Sequence, residues 1–261
     1  MIDLTYSVAG AITGFVVGVT GVGGGALMTP LLLLVFGVSP VTAVATDLWF
    51  AVVTKLVAAR IHNSGGQVDW VVVKRMWFGS LPVALSVVAL ISLGAKFDKL
   101  SWLTQVIGVV VLVTSLGLIM APTLLRRARV SRLDSPVQFK RRQPALTVLA
   151  GAVLGLCVAL TSVGAGALGS VLLLYLYPLR MTPHRLVATD IVHAIPLAAV
   201  AGIGYLVTGM VDGSMLMSLL VGSLPAVAIG SLLATRINGR WLQVIMALVL
   251  LGVALKMLSS A

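Results

Sequence analysis

The sequence has no glutamate, a single cysteine and little charge: charged residues make 10% of its 261 residues and aromatic residues 6%. A soluble domain is about 25% charged, so this composition excludes an ordinary soluble enzyme and a nucleic-acid-binding module. The lone Cys157 excludes an intramolecular disulfide and, lying in an apolar run, reads as a buried, inert thiol. HExxH, GxSxG and any cysteine pair are absent, and His62, His184 and His193 fall on different segments. No catalytic residue, metal site or cofactor is expected.

What the chain does have is apolar length. Hydrophobic residues make 59% of it, and runs such as 4–46, 76–95, 100–125, 143–179 and 213–235 contain no charged residue. Each reaches the roughly 20 apolar residues that a helix needs to cross a bilayer. The strands of an outer-membrane barrel would instead alternate polar and apolar residues. The fold class is therefore an all-α, polytopic membrane protein. The N-terminal MIDLTYSVAG has no basic segment and does not read as a cleaved signal peptide. The net charge of +11 is local: seven of 18 basic residues lie between Arg126 and Arg142, opposed there only by Asp134. Such a cluster beside membrane spans reads as cytoplasmic retention rather than nucleic-acid binding.

An internal duplication organises the chain. Ser39-Pro40-Val41-Thr42-Ala43-Val44-Ala45-Thr46-Asp47 aligns with Thr182-Pro183-His184-Arg185-Leu186-Val187-Ala188-Thr189-Asp190, an offset of 143. The same offset brings Asp69 onto Asp212 and Gly79-Ser80-Leu81-Pro82 onto Gly222-Ser223-Leu224-Pro225. An offset of 141 brings Thr20-Gly21-Val22-Gly23-Gly24-Gly25 onto Thr161-Ser162-Val163-Gly164-Ala165-Gly166. The expected organisation is a first membrane repeat over 1–121, a basic cytoplasmic linker over 122–146 and a second membrane repeat over 147–261.

Each repeat reads as one long apolar stretch, 4–38 or 146–179, followed by three spans. The spans are roughly 40–60, 71–94 and 101–121, then 184–206, 214–234 and 241–258. As straight helices the long stretches would reach about 50 Å, against a hydrocarbon core of about 30 Å. Glycine interrupts each, and a broken helix, a re-entrant hairpin or two short spans would all fit. If neither stretch makes a net crossing, the repeats are inverted and the loops divide 14 basic residues to 3; if each crosses once, the division is 11 to 6. The positive-inside rule prefers the sharper division and so the inverted arrangement.

Discontinuous helices in inverted repeats build the binding sites of many secondary transporters. A helix interrupted in the membrane frees backbone groups that need a partner, and a half-helix beginning after Gly25 or Gly166 presents donors and partial positive charge. Glycine lets a ligand approach closely. The candidate substrate-binding residues are therefore Thr20, Gly23, Gly24, Gly25, Thr161, Ser162, Gly164 and Gly166, with Thr46 and Thr189 beside them. Close helix packing is the alternative role for the glycines. Asp47 and Asp190 fall inside spans, where an acid is a functional candidate by default; proton coupling and the capping of broken-helix N–H groups stand as alternatives. His193, three residues after Asp190, would hydrogen-bond it or relay protons, or serve a structural role in the bundle. Lys55 would attract an anion or snorkel to the interface. Pro82 and Pro225 would bend their helices, and Trp49, Trp70, Trp77, Trp102 and Trp241 would serve as interfacial anchors or packing.

The glycine cluster followed by small residues and Pro30, the Ala45-Thr46-Asp47 block, Thr54-Lys55-Leu56-Val57 through His62, Gly65 to Trp70 and Gly79-Ser80-Leu81-Pro82 resemble the TauE/SafE family of sulfite exporter-like permeases. The second half repeats the pattern, so the resemblance spans essentially the whole chain. It implies a transporter of small sulfur-containing anions, sulfite or organosulfonates, in the bacterial inner membrane. It also implies drive by an ion gradient rather than ATP, in keeping with the lack of a Walker motif. The family often carries serine after the threonine of the Ala-Thr block, where both halves here carry aspartate, a difference that bears on coupling or substrate.

The reading is a secondary transporter with one repeat rocking against the other around an anion site. An anion channel and a non-transporting scaffold that recruits a partner through its basic linker are the alternatives. The expected partners are a small anionic substrate, the lipid bilayer and a coupling proton, with no nucleic acid; a homodimer is compatible with the composition.

Overall fold

The computed structural model describes residues 2–20, 25–62, 67–92, 102–134, 136–233 and 239–259. Ten helices follow one another in it: α1 Leu4–Thr20, α2 Gly25–Leu34, α3 Pro40–His62, α4 Trp70–Ser92, α5 Trp102–Asp134, α6 Pro136–Thr161, α7 Ala167–Leu176, α8 Pro183–Val207, α9 Gly213–Leu233 and α10 Gly239–Ser259. Six of them, α3, α4, α5, α6, α8 and α9, are long and apolar enough to cross a membrane. Large apolar side chains such as Phe78, Leu85, Leu116 and Leu232 point outward from α4, α5 and α9, as suits helices bathed in lipid.

Polar residues set the helix starts. The first N–H groups of a helix have no intrahelical partner, and a short acceptor just before them supplies one. The Ser39 hydroxyl accepts from the Thr42 N–H at 3.3 Å, and the Thr182 hydroxyl accepts from the Arg185 N–H at 3.3 Å. Pro40 and Pro183 then open α3 and α8, where a missing N–H costs nothing. Asp69 does the same for α4, accepting from the Val72 N–H at 3.4 Å. Asp212 caps α9, accepting from the Ser214 and Met215 N–H groups at 3.0 Å each.

Both long apolar stretches double back. Tyr6, near the start of α1, stacks on Phe36, just past the end of α2, with ring centroids 4.7 Å apart. At the corresponding mouth of α6 and α7, Gln143 Nε2 donates to the Leu176 carbonyl at 2.7 Å and the Thr147 and Tyr177 hydroxyls lie 2.8 Å apart. This doubling back excludes one long helix merely broken at its middle and is compatible with a re-entrant hairpin or with two short spans, α6 being long and apolar enough to cross. Helix runs through most of the segment 122–146, expected as a basic linker. The α5 helix runs 33 residues to Asp134 and α6 begins at Pro136, because Ala128 still packs inward and Arg129 reaches the Pro178 carbonyl.

Helix directions follow from the contacts. Trp49 donates to the Gly202 carbonyl while Lys55 meets Asp190, so α3 and α8 run antiparallel. Ser115 bonds to Ala247 while Gly108 faces Met257 and Leu258, which makes α5 and α10 antiparallel. Trp77 lies beside His193 and Val88 beside Gly204, so α4 and α8 are parallel. Trp49 and Trp77 thus pin helices together, and the side chains of Trp102 and Trp241 lie outside the described residues.

Two glycine-lined seams hold α1 against α9 and α6 against α4. A Cβ on Gly79 would sit 1.9 Å from the Val148 carbonyl oxygen, and one on Gly222 would sit 1.8 Å from that of Ser7. Backbone meets backbone there, as small residues permit between membrane helices. Pro82 and Pro225 lie inside α4 and α9, just beyond these glycines. The Gly79→Leu variant is expected to lose stability by about 3 kcal/mol or more through overpacking. A Cβ on Gly213 meets nothing within 4 Å, so Gly213→Ala should melt like the parent; thermal unfolding in detergent compares the two.

Candidate functional site

The tip of the α6–α7 hairpin is residues 162–166, where the backbone leaves the helix with positive φ at Ser162 (56°), Gly164 (126°) and Gly166 (109°). The turn lies in the interior, so its polar groups must find partners within the protein. The Val163 N–H donates to the Thr161 hydroxyl at 3.1 Å and the Gly169 N–H to the Gly164 carbonyl at 2.9 Å. The Gly166 N–H, at the start of α7, donates to Asp190 Oδ1 of α8 at 3.2 Å. A Cβ on Gly169 would lie 2.4 Å from that oxygen, so glycine is what lets the carboxylate reach the half-helix.

Around this tip the protein gathers charge. Lys55 of α3, 2% exposed, places Nζ 3.6 Å from Asp190 Oδ2, whose side chain is 1% exposed. Asp47, fully buried on the same helix, accepts a hydrogen bond from the Thr29 hydroxyl of α2. Ser162 at the tip lies beside the Asp47 carboxyl group, and Asp47 in turn lies within electrostatic reach of Lys55. The cluster is only partly satisfied: among the described residues, Asp47 Oδ1, Lys55 Nζ, Ser162 Oγ and Asp190 Oδ2 have no hydrogen-bond partner. Buried polar groups are nearly always paired, and Lys55 and Asp190 are so as an ion pair just beyond hydrogen-bond distance. Snorkelling is excluded for Lys55 by its burial. His193 turns to α4, where Nε2 lies 3.0 Å from the Ser80 hydroxyl, and not to Asp190 as the spacing suggested.

The other expected residues divide. Gly164, Gly166 and Ser162 form the tip. Gly23 and Gly24 lie outside the described residues, and Gly25 is the first residue of α2. The Thr20 hydroxyl donates to the Val16 carbonyl and the Thr161 hydroxyl to the Cys157 carbonyl, each one turn back along its own helix. Thr46 and Thr189 are drawn away to the turns: their hydroxyls accept from the Asp212 N–H at 3.2 Å and the Asp69 N–H at 3.1 Å. Thr29 and Ser80 join the cluster although sequence reasoning gave them no role. A signal existed for both, since the 141 offset places Ser170 opposite Thr29 and the 143 offset places Ser223 opposite Ser80.

A second ionic group closes the end that carries the basic residues. Buried Asp69 receives Arg180 Nη2 at 2.9 Å and Arg185 Nη2 at 3.1 Å, and Arg75 reaches the Tyr177 hydroxyl at 3.2 Å. The aligned positions near Asp212 are Gly37 and Thr42, so Asp212 serves as a cap without cations. Hydrogen bonds from the Met215 N–H, the Ser214 hydroxyl and the Ser214 N–H hold the Asp212 carboxyl below its ordinary value of 3.8, outweighing its slight burial. Asp212→Ala is expected to cost about 1 kcal/mol at neutral pH, an increment that is complete above the ordinary carboxylate value and disappears as pH falls through the lowered one. Asp69→Ala should cost more, about 2–3 kcal/mol, because charge-assisted bonds to two half-exposed guanidinium groups go with the cap. Paired unfolding curves measure the difference.

Membrane-spanning helices around an enclosed charged cluster define a polytopic integral membrane protein with a polar centre. The comparisons give the particular family. The model of the sulfite exporter TauE/SafE family matches residues 6–257, and the chain belongs to that family. It is 38% identical over 252 residues to the probable membrane transporter protein YjnA of Bacillus subtilis (strain 168), covering 95% of this chain and 97% of that one. It is also 28% identical over 224 residues to the probable membrane transporter protein YdhB of the same organism, covering 84% of each. No solved structure matches the chain at a significant level. The chain is a membrane transporter of the TauE/SafE type, not an enzyme.

Proposed function

We propose that the chain is a secondary active transporter of small sulfur-containing oxyanions, sulfite or organosulfonates, working in a bacterial inner membrane with its basic end in the cytoplasm. The observation that carries this reading is the buried Lys55 beside the hairpin tip, an ammonium group with no hydrogen-bond partner among the described residues. A fixed cation enclosed away from water attracts an anion strongly, and the unpartnered Ser162 hydroxyl beside it supplies a donor. Asp47 and Asp190 tune the site or couple it to protons, since a carboxylate inside a membrane is costly to keep charged and functional by default. The antiparallel course of α3 and α8, whose starts align in sequence, supports two inverted repeats.

Purified protein in liposomes tests this. Labelled sulfite, sulfoacetate, taurine and lactate are offered one at a time, with and without an imposed proton gradient, and flux through protein-free liposomes is subtracted. Saturable flux of a sulfur oxyanion that responds to the gradient is expected. In Gly169→Leu, where the side chain takes the space of the Asp190 carboxylate, flux should fall at least about tenfold while the protein still purifies as the parent does. Flux that never saturates would instead identify a channel, and no flux of any anion would remove the transporter mechanism proposed here.

A further inference from the structure

The sequence is duplicated, but the charge at its centre is not. Asp47 aligns with Asp190, yet Lys55 aligns with Ala198 and His193 with Phe50. The one ammonium group of the cluster therefore serves two carboxylates. It lies 3.6 Å from Asp190 Oδ2, too far for a good hydrogen bond, and Asp190 is held on its other oxygen by the Gly166 N–H at 3.2 Å. Lys55 Nζ and Asp190 Oδ2 thus face each other as a buried ion pair beyond close hydrogen-bond distance, a loose pair that another anion can enter.

Resting on the oxyanion-transport reading above, we propose that Lys55 is the single cationic ligand for the anion, and that Asp190 is its resident competitor, displaced in protonated form when a substrate anion binds. The charge balance requires the proton. Two carboxylates and one ammonium group sum to −1 when all are ionised. An anion arriving alone would raise this to −2 in surroundings that solvate charge poorly. An anion arriving with one proton, which Asp190 takes up, leaves the sum at −1. The substrate takes the place of the Asp190 carboxylate against Lys55, and the Ser162 hydroxyl, which lies beside the Asp47 carboxyl group, is the adjoining donor. Deprotonation of Asp190 restores the internal pair and expels the anion. The groups that face Asp190 are Lys55, with Asp47 beyond it, from α3, and the Gly166 N–H at the start of α7. His193, on its own helix, is turned to Ser80 of α4. The consequence is one anion and one proton per chain, despite two aspartates in equivalent blocks.

Binding of labelled methanesulfonate, a strong acid ionised throughout the range, to the full chain in detergent micelles tests this between about pH 5 and pH 8. The parent protein is expected to bind one anion per chain, with affinity rising toward about tenfold for each pH unit lowered, as one-proton linkage demands. Asp190→Asn should bind tightly at every pH, and Asp47→Asn should keep the slope. Since Lys55→Gln alone leaves a buried carboxylate unpaired, the double variant Lys55→Gln/Asp190→Asn is the informative one, and it should bind nothing while melting as a folded protein. A pH slope that survives in Asp190→Asn, binding by the double variant, two anions per chain, or no binding by both parent and Asp190→Asn would each overturn the assignment. A pH-independent parent with saturable, gradient-driven flux in liposomes would overturn this competition and leave the transporter reading intact. The expected binding pattern without flux of any anion would do the reverse.

Discussion

A chain that turns around inside an apolar layer uncovers backbone N–H and C=O groups where no solvent can take them. This constraint governs the interior of the molecule. At the α6–α7 tip it is met by three devices: a threonine hydroxyl for Val163, a carbonyl within the turn for Gly169, and the Asp190 carboxylate for Gly166. The last brings a negative charge into the centre. Lys55 answers that charge from α3, and its stem must lie buried to reach it. The ionic cluster is thus a consequence of the turn, and the turn needs glycine at Gly169 for the carboxylate to approach.

Burying an ion pair rarely stabilises a protein when weighed against an apolar replacement of the same shape. The geometry between Lys55 and Asp190 is looser than that of a close hydrogen-bonded pair, so the cluster contributes little as a structural device. The tight ionic contacts lie elsewhere, at Asp69, where two arginines and a helix start share one carboxylate at the edge of the bundle. The molecule keeps its close ionic contacts at the edge of the bundle and a looser pair at its centre.

Features that depend on local chemistry were legible in the sequence. Most span positions followed from apolar length, although α6, read as part of a broken stretch, is itself long enough to cross and the described part of the expected span 241–258, Val244–Ser259, is shorter; the central aspartates followed from the improbability of an acid in such a setting. The hairpins were left among three alternatives because doubling back is decided by which distant side chains meet at the mouth, Tyr6 with Phe36 and Thr147 with Tyr177. The partner of Lys55 was equally hidden, since 135 positions separate it from Asp190. Thr46 and Thr189 were placed in the site by adjacency to the aspartates, yet neighbours on a helix point about 100° apart and their hydroxyls serve the turns. The basic segment looked like a linker by its charge, although its interspersed alanine and leucine residues carry helix through it.

The glycine seams have a mechanical consequence. They do not join helices within one half of the chain: α1 lies along α9, and α6 along α4, with backbones in contact. Two halves swinging as intact blocks would have to shear both seams at once, against carbonyls packed where no side chain fits. Units that move without breaking them are composite, each joining the leading hairpin helix of one half to a helix of the other. The halves that align in sequence and the helix pairs packed backbone to backbone therefore divide the molecule along different lines.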